Sequence, residues 1–282
     1  MAHSPTIRLT SPVTGIIAKG NFNGPSVLKC LSSDDHKLTY DKTWRVEYRK
    51  KWLAKMEFLT SVSAQNNAVI FLYDTSVSGF IYMNDPQKIL GNYNPADFIS
   101  ETGQDFSFSN IHPDQRSAAI MVLLKTISYG IDHRTTDLKN TVANMTFLFK
   151  RKDGKYFQFL QKSIVVERDP EGNPLLYLRY GFDISHLVKP SVGLIINTPG
   201  ETLIWNYNTD KGCLEQVNLL SNHERKILAL LAEGKTSKEI ADILFVSSHT
   251  IDTHRRNLLK KTHCTDSTAL ITYSKMIGLD KN

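Results

Sequence analysis

The chain has 282 residues, a formal charge of +6, and 41% hydrophobic against 22% charged residues. That length and apolar content suit about two globular domains and argue against a disordered or fibrous chain. No apolar run approaches the ~18 residues of a membrane span, and the N-terminus lacks the basic start and apolar core of a secretory signal, so a cytoplasmic protein is expected. Cys30, Cys213 and Cys264 lie far apart and form no C-x-x-C pair, so neither a zinc site nor a disulfide framework is indicated. The basic balance is compatible with a polyanionic partner but does not identify one.

Residues 1–43 read as irregular, interrupted by Pro5, Pro12, Gly15, Gly20, Gly24 and Pro25. From Asp41 the spacing predicts a helix, with Trp44, Tyr48, Trp52, Lys55 and Leu59 at helical intervals. Two readings of it stand side by side: a helix packed on its own domain, or a dimerisation helix ahead of a sensor. N-A-V-I-F-L-Y-D at 67–74 and F-I-Y-M-N at 80–84 read as the strands of a hairpin. Pro86, Gly91, Pro95 and Gly103 limit 86–112 to short helices, and Asp114–Ile131 carries the apolar stripe of a longer one. Strands are expected at 143–151, 155–167 and 174–183, joined by turns at Asp153-Gly154 and D-P-E-G-N.

This order resembles the PAS sensor fold. Its most specific pieces are F-K-R-K-D-G-K-Y-F-Q-F at 149–159, D-P-E-G-N-P at 169–174 and Y-G-F-D-I-S at 180–185, with I-H-P-D at 111–114 as the helix entry. The resemblance implies an α+β domain, an antiparallel sheet with flanking helices. Four segments follow: 1–57, an N-terminal irregular segment and helix; 58–187, the PAS-like domain; 188–218, a linker with a β-hairpin around Pro199-Gly200; and 219–282, an all-α four-helix domain. In the linker, N-T-D-K-G at 208–212 reads as a turn before the last domain.

The final segment is the most informative. Ser221 with Glu224, and Thr236 with Glu239, form capping boxes that start two helices. Gly234 stops the first. Ser247 caps a third helix running to about Thr262, and Asp266 caps a fourth. On the third helix Ile251, Leu258 and Thr262 fall toward a core, while Asp252, Thr253, Arg256 and Lys260 fall on another side. That outer face carries hydrogen-bonding groups suited to a major groove, and Ser247, Ser248 and Thr250 sit where hydroxyls, free amides and the helix dipole favour phosphate.

With L-S-x-x-E-x-x-I-L, L-A-E-G-x-T-S-K-E-I-A, V-S-x-x-T-I-x-x-H-R and N-L-L-K-K, residues 219–279 resemble the LuxR-type helix-turn-helix. The resemblance implies that Asp252, Thr253 and Arg256 read bases. Thr236, Ser237, Lys238, Ser247, Ser248, Thr250, His254, Arg255, Asn257, Lys260 and Lys261 would hold phosphate or support the helix. It implies double-stranded DNA as partner, a homodimer, RNA polymerase as a further contact of such regulators, and a sequence-specific transcription regulator rather than an enzyme. Two positions depart from the pattern: Ser267, often basic, and Cys264, often valine. Asp252 could accept from a cytosine amino group or order Arg255 or Arg256, the second being preferred.

The chain carries no phosphate loop, no G-x-S-x-G or H-E-x-x-H motif, and no recognisable receiver or histidine-kinase pattern. Phe71, Tyr73, Ile81, Met83, Phe147, Phe159 and Tyr180 alternate on strands and could line a small-molecule pocket or simply fill a core. Haem through His112 or His133 is the alternative sensor chemistry, in a protein that would then act mainly through protein contacts. The sequence names no cofactor.

Overall fold

A computed structural model describes residues 42–65, 67–85, 88–133 and 140–280. The irregular segment expected before residue 42, with Cys30, lies outside them, as does Pro86. Eight strands follow in chain order: β1 Val69–Asp74, β2 Gly79–Asn84, β3 Val142–Lys150, β4 Tyr156–Arg168, β5 Pro174–Asp183, β6 Gly193–Asn197, β7 Thr202–Asn208 and β8 Cys213–Gln216. They form one antiparallel sheet in the order β2-β1-β5-β4-β3-β6-β7-β8. The first five strands in this order, with helices α3 Pro95–Ile99, α4 Gly103–Ser109 and α5 Pro113–Asp132 on one face, give the expected α+β arrangement of an antiparallel sheet with flanking helices.

Central strands here are apolar on both sides because both faces are covered. Every residue of β1 is buried. The inner face packs Phe71, Phe147 and Phe159 against Phe98 of α3 and Leu123 of α5. The outer face is divided. Over β1 and β5 lie α1 Lys42–Leu53 and α2 Met56–Gln65, burying Tyr48 and Met56 on Ile70, Leu72, Leu176 and Leu178. Polar tethers fix the register of α1: the Tyr48 hydroxyl and Arg49 Nε both donate to Asp74 Oδ2 at 2.7 Å, and Trp52 Nε1 donates to Glu167 at 2.9 Å.

The single helix predicted from Asp41 through Leu59 is two helices, broken at Ala54-Lys55. Tyr48 and Met56 are both buried on the sheet. Eight residues apart on one straight helix they would point about 80° apart at 3.6 residues per turn. A tight turn, Lys55 N–H to Trp52 carbonyl at 3.0 Å, re-aims the chain so both can bury. This places α1 on its own domain, as the first of the two readings had it.

The hairpin predicted around Pro199-Gly200 forms as β6 and β7, and β6 pairs with β3, so it extends the sheet. N-T-D-K-G does not lead straight into the last domain. It turns into β8, a further strand that the short C-L-E-Q sequence hides because none of its four residues is fully buried at the sheet edge.

The last four helices are α6 Asn222–Ala232, α7 Ser237–Leu244, α8 Ser248–Thr262 and α9 Ser267–Ile277. They bury Ile227, Leu228, Ile251, Leu258 and Leu270 completely, and the same cluster includes Leu160, Ile184, Leu187, Val188 and Ile204 from the sheet side. The helical domain therefore shares a core with the rest of the outer face. Backbone bonds seal the join: Lys189 N–H to the His263 carbonyl at 2.9 Å and Thr265 N–H to the Leu187 carbonyl at 3.0 Å. Lys162 Nζ donates to the Met276 carbonyl at 2.7 Å, next to the end of α9.

Candidate nucleic-acid interface

Both predicted capping boxes form. Ser221 N–H donates to the Glu224 carboxylate at 2.8 Å while Glu224 N–H returns to the Ser221 hydroxyl, and Thr236 with Glu239 repeats the exchange. Gly234, at φ +86, follows α6 in a left-handed conformation that only glycine adopts without strain. Ser247 caps α8 by accepting from Thr250 N–H at 3.1 Å, and Asp266 caps α9 by accepting from Ala269 N–H at 2.8 Å. Local chemistry thus sets the start of every helix in the unit, which fixes the rotation of α8 about its axis.

That rotation buries Ile251, Leu258 and Thr262 and turns Asp252, Arg256 and Lys260 to solvent. Spaced by four, these three form one stripe along the helix. Thr253 flanks it, half-buried, and its hydroxyl accepts from Arg256 at 3.0 Å. Asp252 pairs with neither arginine among the described residues. Arg255 is held instead by the hydroxyls of Ser237 at 2.7 Å and Ser267 at 3.0 Å, and Arg256 by Thr253, so the preferred reading of Asp252 as an arginine-ordering residue does not hold. The geometry leaves its carboxylate open as an acceptor.

The structure sorts the other candidates into two groups. Lys238, Ser247, Ser248 and Asn257 are exposed outside the stripe. Thr236 is exposed but committed to its capping box, and Thr250 shares a hydrogen bond of 2.9 Å with Ser247. Ser237 and Arg255 are locked to each other across α7 and α8. His254 does not reach the outer face: its ring packs 5.0 Å from that of His223, with Nδ1 buried. Lys261 turns toward α6 and donates to Glu224 Oε2 at 2.7 Å. Burial alone would raise the Glu224 carboxyl, but the bonds from Lys261 and Ser221 outweigh it and hold it below the ordinary carboxylate value. Lys261 is therefore a strut between helices.

The two departures from the family pattern find local roles. Ser267 is the hydroxyl that receives Arg255, and Cys264 is buried, its thiol pushed up to about 11 by removal from water, so it packs as a small apolar residue.

Residues 218–274 match the family model described as bacterial regulatory proteins, luxR family. The C-terminal domain belongs to the LuxR family. The chain is 44% identical across 62 residues to the response regulatory protein YgeK of Escherichia coli, covering 22% of this chain and 42% of that one. It is 46% identical across 60 residues to the transcriptional regulatory protein MctR of Rhizobium johnstonii, covering 21% and 28%. The chain spans less than half the length of either relative. Among solved structures it is similar to VqmA of Vibrio cholerae, at 20% identity, TM-score 0.30, 79% of this chain and 88% of that one. It is also similar to the PAS/PAC sensor domain of a diguanylate cyclase from Marinobacter aquaeolei, at 19% identity, TM-score 0.34, 42% and 95%.

The seven candidate pocket residues do not form one set. Phe71, Tyr73, Met83, Phe147 and Phe159 share the inner core, whereas Ile81 and Tyr180 pack on the outer face beside Tyr48 and Met56. Tyr180 is one residue out of step with Arg179 of its own strand, and at Ile81 a β-bulge, which pairs Leu72 with Tyr82 but Tyr73 with Phe80, breaks the alternation that would have set it beside Met83. The histidines have local work. His112 caps α5 by accepting from Asp114 N–H at 3.3 Å, and His133 stacks on Tyr129 at 4.0 Å. No helix among the described residues is long and apolar enough to cross a membrane.

One inner residue escaped sequence reasoning. Arg179 is 4% exposed on β5, opposite Ser163 of β4 and Phe71 of β1. Its guanidinium lies 4.1 Å from the Tyr73 ring, 5.6 Å from Tyr177 and 5.8 Å from Phe80. Among the described residues it has no carboxylate partner, and its Nε is buried without an acceptor. Ring contacts of about 0.5–2 kcal/mol fall short of the several kcal/mol that desolvating a charge costs. The signal was legible: in L-L-Y-L-R-Y-G, Arg179 takes the same parity as Tyr177 and Gly181, a charge at an inward position.

Proposed function

We propose that this protein is a sequence-specific DNA-binding transcription regulator, in which the PAS-like domain receives a signal or holds a second copy and thereby controls the LuxR-type domain. One observation carries the reading. The stripe of Asp252, Arg256 and Lys260 stays open to solvent while the rest of its domain is packed on the sheet. A major groove about 12 Å wide admits such a helix, with arginine reading guanine and an acceptor such as Asp252 reading cytosine. Lys238, Ser247, Ser248 and Lys260 are placed to take backbone phosphates on either side.

A second copy would set two recognition helices in successive major grooves, about 34 Å apart. Val46 and Leu53 on α1, and Phe58 and Val62 on α2, leave large apolar side chains outward, with Phe58 71% exposed, and supply a surface for that pairing. Because the helical domain shares its core with β4 and β6, a rearrangement of the sheet reaches α8 through packed side chains, and a signal would act by moving this domain relative to its twin.

The test is selection of bound fragments from genomic DNA by the full chain. A two-fold symmetric site is expected, with log affinity falling against log salt at a slope near −4 to −5 per subunit if about five phosphates are neutralised. Recovery of fragments without sequence preference would contradict the reading.

A further inference from the structure

We propose that the interior of the PAS-like domain is a binding site for a small organic carboxylate, held by Arg179. The inference rests on the sensor reading of that domain and names its ligand class. A guanidinium does not shed its proton within a protein, so burial cannot be relieved by neutralising Arg179. Removal from water lowers its pKa, and only Tyr73 and Tyr177 act against that. Beside it, two further polar atoms are buried without partners: the Ser163 hydroxyl, on the residue directly opposite in the strand register, and the Tyr177 hydroxyl, two residues along the same strand. Ser163 and Tyr177 also border a cavity of about 20 Å³, lined with them by Thr126, Tyr129 and Ile196 but not by Arg179 itself.

These groups specify the ligand. The guanidinium fork offers two parallel N–H donors, the match for the two oxygens of a carboxylate. Ser163 and Tyr177 add two hydroxyls without partners on the same face of the sheet. The Arg179 guanidinium neutralises one negative charge, which favours a monocarboxylate over a phosphate; the other basic group in reach, Arg168, acts on the Tyr177 hydroxyl. The surrounding walls are rings: Phe71, Phe80 and Phe98 lie within 5.3–6.3 Å of one another, a setting for an apolar body. The cavity has room for about one water, so binding must widen the interior. The facing wall is built from short helices, α3 and α4, packed on the sheet through these rings and the Tyr73–Gln104 hydrogen bond of 3.1 Å.

The test uses the full chain and a thermal-shift panel of acetate, butyrate, benzoate and phenylacetate, with benzamide and inorganic phosphate as controls. At least one carboxylate is expected to raise the melting temperature by roughly 5 °C at a hundredfold excess over its Kd. Benzamide and phosphate should leave it unchanged, and Arg179→Met should abolish the shift. Arg179→Lys, which keeps the charge without the fork, guards against a folding defect in the methionine variant and should weaken the shift at least tenfold in midpoint concentration. A flat panel, an equal response to benzamide or phosphate, or a shift that survives Arg179→Met would each overturn the proposal. None of these readouts involves DNA, so a flat panel with intact site-specific DNA binding would remove the ligand class and leave the regulator reading standing.

Discussion

The two halves of this molecule keep their polar groups in opposite places. In the LuxR-type domain the charges lie outside, apart from the capping carboxylate of Glu224, and each helix start is satisfied by a residue three positions away in sequence. In the PAS-like domain the telling charges lie inside, and their surroundings come from strands far apart in the chain. Arg179 faces Ser163 and Phe71, and Asp74 receives Tyr48 and Arg49. The contrast separates chemistry that is set by local spacing from chemistry that only a folded sheet assembles.

The contrast can be broken first at the seam. Leu160 is fully buried in the core that the sheet shares with the helical domain. Leu160→Ala is expected to cost about 2–4 kcal/mol and to lower the melting of both halves together. Two separated calorimetric transitions in the wild type would show that the seam does not couple them.

The next largest effect concerns acid. Glu224 has a folded pKa below its unfolded value, so its contribution is complete above the ordinary carboxylate range and disappears as pH falls through the lowered folded value. Between about pH 5 and 3 the wild type should lose more stability than Glu224→Gln, measured by urea midpoints at each pH. Parallel curves for the two proteins would remove the Lys261–Glu224 strut from the account.

The smallest effect probes the turn between α7 and α8. Phe245 is 95% exposed at φ 55, a left-handed conformation that disfavours a β-carbon. Phe245→Gly should leave stability unchanged or raise it by up to about 1 kcal/mol. A clear loss in melting temperature would mean that the exposed ring has a packing role.

Sequence reading served the two halves unequally for the same physical reason. Ser221, Glu224, Thr236, Glu239, Ser247 and Asp266 announced four helix starts because a cap and the amide it satisfies are sequence neighbours. The strands at 142–183 were legible from alternation and from Gly154 and Gly172, whose positive φ values the turns require. Face assignment was not. Tyr180 was grouped with Phe71 because alternation shows which residues share a face within one strand and not which faces coincide between strands, and Ile81 was grouped with Met83 because alternation does not reveal the β-bulge between them. The helix break at Ala54-Lys55 carries no glycine or proline and follows from burying Tyr48 and Met56 together. For His254 and Lys261 the sequence left support of the helix and phosphate contact open, and only the placement of α6 beside them shows the contacts they make.

The central claim is that the open stripe of α8 reads DNA, and Arg256→Ala tests it most directly. Arg256 is exposed and donates a hydrogen bond to its neighbour Thr253, so its loss should leave the melting temperature unchanged. Fluorescence anisotropy with the selected site should show affinity falling by roughly 5- to 150-fold, the equivalent of 1–3 kcal/mol, with much less loss on random DNA. Undiminished binding to the selected site by a folded Arg256→Ala protein would contradict the account.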